Sequence, residues 1–178
     1  MIFISHANPS ENYFAAWLSS KLKLLGYRTW VDVNYIPYGN TFLPQIKEVI
    51  SKKASVFVAI ISDKHVEKYQ VPDSGVFNEV EIARTRLREN QDFIIPIRYD
   101  HADFADFPPG IIGRNTIVMG NDFALALKSL LKELDDRNIE AQEPNENVLG
   151  FWKETLHGDL QPQEKKRDTQ QIGLKLIL

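Results

Sequence analysis

The sequence predicts an α/β fold of three layers, with helices on both faces of a five-stranded parallel sheet. Three observations carry this. Short apolar runs alternate with stretches of helical period five times up to about residue 137. One run, Ala54–Ile61, is apolar on both alternating sets of positions, as a central strand covered on both sides must be. A chain of 178 residues, 43% of them apolar, has enough material for one core of this size.

The elements follow in order. Met1–Ser5 reads as the first strand. Asn8-Pro9-Ser10-Glu11 has the signature of a helix start, with Asn8 as cap, Pro9 at the first helical position and Glu11 as the capping-box acid. Phe14, Leu18, Leu22 and Leu25 keep helical spacing, and Gly26 supplies the stop. Tyr27–Val31 is the second strand. The loop from Asp32 to Asn40 holds Tyr35, Ile36 and Tyr38, too much apolar surface for a segment that contacts nothing. Phe42, Ile46, Val49 and Ile50 mark a short helix, and Ala54–Ile61 is the third strand. A polar stretch from Ser62 to Ser74 precedes a helix from about Val76 to Arg88, with Val76, Val80, Ala83 and Leu87 on one stripe. Phe93–Ile97 is the fourth strand, and Pro96 requires a strand end or an unpaired side there. Thr116–Met119 is the fifth. Asn121 caps a last helix carrying Phe123, Leu127, Leu130, Leu131 and Leu134. Right-handed crossovers then give a doubly wound, flavodoxin-like α/β/α sandwich with strand order 2-1-3-4-5.

Residues 138–147 read as a polar linker. From 148 to 178 the pattern changes: Phe151, Trp152 and Leu156 suit a short docked helix, and Gly173–Leu178 is an apolar tail. Such a tail suggests a chain cut from something longer, or a surface paired with another.

Composition excludes several function classes. Net charge is −3 and the isoelectric point about 5.8, so no overall basic footprint for nucleic acid or anionic membrane exists. The absence of cysteine removes disulfides, thiolate metal sites and a cysteine nucleophile. No apolar run reaches transmembrane length and no signal segment opens the chain, so the expectation is a soluble, cytoplasmic protein.

In an open parallel sheet, ligands bind outside the carboxyl ends of the strands where the order reverses. Those ends are Ser5-His6-Ala7, Asp32–Asn40 and Ser62-Asp63. A phosphoacceptor receiver needs an acidic pair after strand one to hold Mg²⁺, and Ser5-His6 stands there instead. A dinucleotide fingerprint needs a Gly-rich turn, which is also missing, and no metal site is expected. Glu79 is the notable carboxylate, placed by this reading in the first turn of its helix at the edge of the apolar stripe. There it suits stabilising an oxocarbenium-like transition state or positioning a ribose hydroxyl. By spacing alone an ordinary first-turn acid is the favoured reading. Ser62 either bonds a ribose or phosphate or caps the next turn. His6 is either a general base or a turn histidine with local partners. Trp30 is most simply core.

Ile2-Phe3-Ile4-Ser5-His6-Ala7, Leu18–Leu22, Leu25-Gly26-Tyr27, Trp30-x-Asp32, Gly39, the strand Val56–Ser62 and Asn78-Glu79-Val80 together resemble a bacterial TIR (Toll/interleukin-1 receptor) domain over about residues 1–137. Many members of that family split NAD⁺ at its nicotinamide–ribose bond. The resemblance implies that Glu79 is the essential residue and that Ser5, His6, Ala7, Asp32, Tyr38 and Gly39 line the pocket. It implies NAD⁺ as substrate, no separate cofactor, and activity that depends on self-association, since a neighbouring TIR domain completes the pocket. The match is closer to the TIR–APAZ proteins that partner short prokaryotic Argonautes, whose chains also open Ile-Phe-Ile-Ser-His-Ala and carry a Phe-Ile-Ile-Pro strand. Residues 148–178 then correspond to the start of an APAZ region. The sequence departs from the family in two places. Val31-Asp32 and Tyr38-Gly39 replace the Arg-Asp…Pro-Gly pattern of signalling members, and no Cys precedes the glutamate, where Ser74 is the nearest substitute. The resemblance thus implies an NAD⁺ glycohydrolase effector in antiviral defence. A non-catalytic TIR adaptor and a nucleoside deoxyribosyltransferase-like enzyme are the alternatives.

Overall fold

The computed structural model describes residues 1–31, 43–120 and 122–142. Five strands form one sheet: β1 (Ile2–Ser5), β2 (Thr29–Trp30), β3 (Val56–Ile61), β4 (Ile94–Arg98) and β5 (Ile117–Val118). Every pair is parallel and the order is β2-β1-β3-β4-β5. This is the predicted flavodoxin-like arrangement, and its switch point lies between β1 and β3.

Among the described residues five α-helices cover the sheet: α1 (Asn12–Leu24), α2 (Leu43–Glu48), α3 (Asp63–Tyr69), α4 (Gly75–Arg86) and α5 (Phe123–Asp136). Alternation along the strands decides which face each meets. Ile2, Ile4, Val58, Ile60 and Ile97 pack with Phe14, Leu18 and Leu22 of α1 and with Leu127, Leu130 and Leu134 of α5. Phe3, Phe57, Ala59 and Ile61 face the other way, against Ile46 of α2 and Val76, Val80 and Ala83 of α4. Phe3 stacks on Trp30 at 4.7 Å and on Phe57 at 5.3 Å, so Trp30 is core. Truncating a ring buried like Phe57 to alanine costs about 3–5 kcal/mol.

Several boundaries differ from the sequence reading. α1 begins at Asn12 rather than at Pro9. Residues 8–11 form a turn with a cis Asn8–Pro9 peptide, and Glu11 N–H bonds Ala7 O at 3.1 Å. Asn8 accepts from the Asn12 side chain instead of capping a helix, and the Glu11 side chain is drawn into the interior. Gly26 does end α1, at φ +87°, where Tyr27 N–H closes on Leu22 O at 2.9 Å. α2 runs into a π-type turn, Val49–Lys53, with Ala54 N–H on Val49 O at 2.8 Å. The polar stretch after β3 contains α3. Asp122, not Asn121, caps α5, taking Leu125 N–H at 3.0 Å. Pro96 sits mid-strand, opposite Ala59. Its nitrogen side faces β5, where pairing begins only at Ile97↔Ile117, so the missing donor leaves no gap. Ile139 and Ala141, read as linker, pack on the core, and Gln142 N–H bonds Gly26 O at 3.0 Å. The remainder of the predicted linker and the C-terminal extension lie outside the described residues.

Candidate active site

Ser5 is the last residue of β1 and pairs with Ala59 of β3, so its hydroxyl stands at the switch point. It shares the face of Phe3, toward α4. Glu79 projects from α4 between the buried Val76 and Val80. Ser5 Oγ donates to Glu79 Oε2 at 2.6 Å, and both side chains are buried, Glu79 with 5% of its surface exposed. Glu79 lies in the second turn of α4, not the first. The helix starts at Gly75, with Ser74 as cap. The carboxylate is thus held by a hydroxyl across the rim, and the helix-end field contributes less than the sequence reading assigned it.

Contacts at both ends fix α4, and with it Glu79. Ser74 Oγ accepts from Phe77 N–H at 3.0 Å and donates to Lys68 O at 2.6 Å. That hydroxyl acts as a cap and hinge to α3, not as a stand-in for a cysteine. Arg86 Nη1 donates to Ile50 O and Ser51 O at 2.9 and 3.0 Å, tying the far end of α4 to the π-type turn. Glu81 points outward and pairs with Arg84 at 2.6 Å and with the Tyr69 hydroxyl at 2.7 Å.

His6 is buried, and its Nε2 contacts Asn12 Oδ1 at 2.9 Å, the local partner expected of a turn histidine. Ala7 is fully buried and its carbonyl accepts from Glu11 N–H. Ser62 does cap the next helix, accepting from His65 N–H at 2.9 Å. The same hydroxyl donates to Glu11 Oε1 at 2.5 Å. Asp32, Tyr38 and Gly39 lie outside the described residues. Of the eight residues named from sequence, the structure thus brings Ser5 and Glu79 into contact and gives His6 and Ser62 other partners.

Sequence reasoning missed the second polar cluster at this rim. Glu11 is 1% exposed, its Oε2 has no hydrogen-bond partner, and burial raises its pKa against the opposing pull of Ser62. His65 is fully buried in α3 with neither ring nitrogen partnered; burial, and secondarily His6, push its pKa down to about 3. A signal for α3 was present, since Ser62 precedes a run of helix formers as a cap should. Among the described residues no three His, Asp or Glu side chains are placed to hold a metal ion, and no helix is long and apolar enough to cross a membrane.

A doubly wound parallel sheet with a hydroxyl and a carboxylate joined at its switch point places the chain in the class of α/β domains whose ligand position is the carboxyl rim. The family model described as TIR domain matches residues 2–131. The chain therefore belongs to the TIR domain family, whose members include both NAD⁺-cleaving enzymes and adaptors. It is also similar to uncharacterized protein y4cD of Sinorhizobium fredii, 29% identical over 101 residues. That match covers 56% of this chain and 15% of the relative, so the chain corresponds to a small part of the longer protein.

Proposed function

We propose that this chain is an NAD⁺ glycohydrolase domain with Glu79 as its catalytic residue. The observation that carries the reading is the 2.6 Å bond from Ser5 to Glu79, a buried carboxylate held at the switch point of a TIR fold. A TIR domain serving only as an adaptor needs no carboxylate at that place.

In this reading the C–N bond between ribose and nicotinamide breaks, and its electron pair leaves with nicotinamide. Positive charge develops on the ribose. Glu79, oriented by Ser5, stabilises that charge and positions a ribose hydroxyl. Water adds to the sugar carbon and loses a proton, giving ADP-ribose; attack by an internal nucleophile gives a cyclic isomer instead. NAD⁺ is the substrate, and the chemistry calls for no separate cofactor.

The reading includes activation by self-association, since the TIR resemblance implies that a neighbouring domain completes the pocket. The proposed setting is prokaryotic defence against phage or plasmids, with a short Argonaute carrying guide and target nucleic acid as partner. The opening Ile2–Ala7 and the Phe93–Pro96 strand support that part.

The test is nicotinamide release from NAD⁺ by protein oligomerised through a fused multimeric tag. The expected result is turnover by the natural sequence and none by Glu79→Gln. Equal release by both removes Glu79 from the reaction. Release from deoxynucleosides with NAD⁺ left intact replaces the reading with a deoxyribosyltransferase.

A further inference from the structure

A cavity opens on the same rim, two strands from Glu79. It lies beyond the carboxyl ends of β4 and β5, has a volume of about 490 Å³, and is lined by Arg98, Tyr99, Asp100, Val118, Gly120 and Phe123 among others. That volume falls within the range of small-molecule sites, roughly 300–1,000 Å³. We propose that it is a second ligand site, for a small molecule that joins a phosphate to a flat ring, of the nucleoside monophosphate class.

Arg98 carries the phosphate half of the argument. It is the last residue of β4, its carbonyl takes Met119 N–H at 3.0 Å, and among the described residues its side chain makes no hydrogen bond and no ion pair. Its Nε is buried without an acceptor. A buried N–H of a cationic group left without a partner is uncommon and calls for an acceptor. Its guanidinium lies 4.3 Å over the Phe104 ring. That contact uses the face of the guanidinium and leaves its N–H groups, which lie in the plane, available for a phosphate acceptor. α5 begins at the cavity with Phe123, so the positive end of a 14-residue helix adds to the same field.

The opposing charges are Asp100 and Asp122. Asp100 Oδ1 accepts from Ala102 N–H at 2.9 Å and Oδ2 from Asp63 N–H at 3.2 Å. Asp122 Oδ1 accepts from Leu125 N–H. Both carboxylates are thus engaged with backbone donors that offset part of their charge.

The ring half rests on the walls. Tyr99 and Phe123 both pack on Phe14, at 5.5 and 4.8 Å, which fixes their rings while they border the cavity. Val118 and Met119 complete an apolar side. A planar ring fits between such surfaces, and a lone phosphate leaves them uncovered.

The proposal stands apart from the reading of Glu79, and the experiment keeps the two separate. The full chain, labelled with ¹⁵N, is titrated with AMP, adenosine and inorganic phosphate while backbone amide shifts are followed. AMP is expected to move Val118, Met119 and Gly120, with adenosine and phosphate each binding at least tenfold more weakly. Arg98→Gln is expected to weaken AMP at least tenfold and to leave adenosine unchanged. Val118→Trp, at a half-exposed edge position, is expected to block the cavity with Arg98 intact. Shifts confined to Ser5, His6 and Ala7, AMP binding unaltered by both substitutions, or no shift at millimolar AMP overturns it.

Discussion

Two buried serine–carboxylate bonds sit at the carboxyl rim, on opposite faces of one sheet. On the α4 face Ser5 donates to Glu79 at 2.6 Å; on the α1 face Ser62 donates to Glu11 at 2.5 Å. The local chemistry is the same, and the surroundings are not. Ser62 also caps α3, so the Glu11 pair binds the β1–α1 turn, the end of β3 and the start of α3 into one joint. The Ser5 pair links a strand end to the middle of a helix whose ends are already fixed by Ser74 and Arg86. A buried carboxylate at a rim is therefore no assignment by itself. What separates the two is whether other parts of the fold depend on the bond.

The largest expected effect tests that separation directly. Glu79→Gln should lower nicotinamide release by about 100-fold or more, the scale of removing one group that stabilises transition-state charge. Glu11→Gln should leave release within a few-fold of the natural sequence. Steady-state kinetics on oligomerised protein measures both, and comparable losses would make the two carboxylates one unit.

Ser62→Ala comes next. It removes a helix cap, about 1 kcal/mol, and takes the donor from a buried carboxyl, a further 1–3 kcal/mol or so. For a domain of this size the midpoint of thermal unfolding should fall by about 4–16 °C. An unchanged midpoint would show that the joint on the α1 face carries little of the fold's stability.

The contrast also marks what the sequence could and could not disclose. Strand order, the central β3 and the apolar stripes of α1, α4 and α5 were legible because burial imposes a period on each element. Glu79 was legible as a rim carboxylate through its neighbours Asn78 and Val80, but its partner was not, since a contact across 74 residues leaves no mark on local spacing. Glu11 shows the cost of local reasoning. Its place before an apolar run matched a capping box, and the tertiary bond to Ser62 overrode that use. α3 was marked only by its Ser62 cap, because its seven residues are mostly polar and only His65 and Val66 are buried. Ile139 and Ala141 were absorbed into a polar segment, and nothing in their spacing announces that they pack.

A smaller effect concerns the neighbour of the Glu11 joint. His65 is buried with both ring nitrogens unpartnered and a pKa pushed down to about 3. Its unfolded value is near 6.5, so below that pH the unfolded chain binds a proton that the folded chain refuses. The stability this group leaves intact at neutral pH is lost as pH falls from 6.5 toward 3. His65→Leu should raise stability at pH 7 by about 1–2 kcal/mol, by removing unsatisfied polar atoms. It should also flatten the acid limb of the stability curve. Urea unfolding between pH 7 and 4 checks both; parallel limbs for the two proteins would mean that the ring is already satisfied.

Glu11 should give the smallest effect, with the opposite sign. Burial raises its pKa, with Asp100 adding to the shift and Ser62, the Ala7 backbone and Lys68 reducing it. The native state then keeps a proton that the unfolded chain releases near pH 4.5. What this group contributes is full below that pH and declines as pH rises through the raised native value. Glu11→Gln abolishes the titration while keeping an oxygen for Ser62. The new amide N–H₂ near the unpartnered Oε2 position carries a penalty that does not vary with pH, so only the change with pH is diagnostic. Relative to the natural sequence, the variant should gain stability between pH 4 and pH 8. A difference that is flat over that range would mean that Ser62 and Lys68 hold the carboxylate charged despite its burial, and the two faces of the rim would then be electrostatically alike.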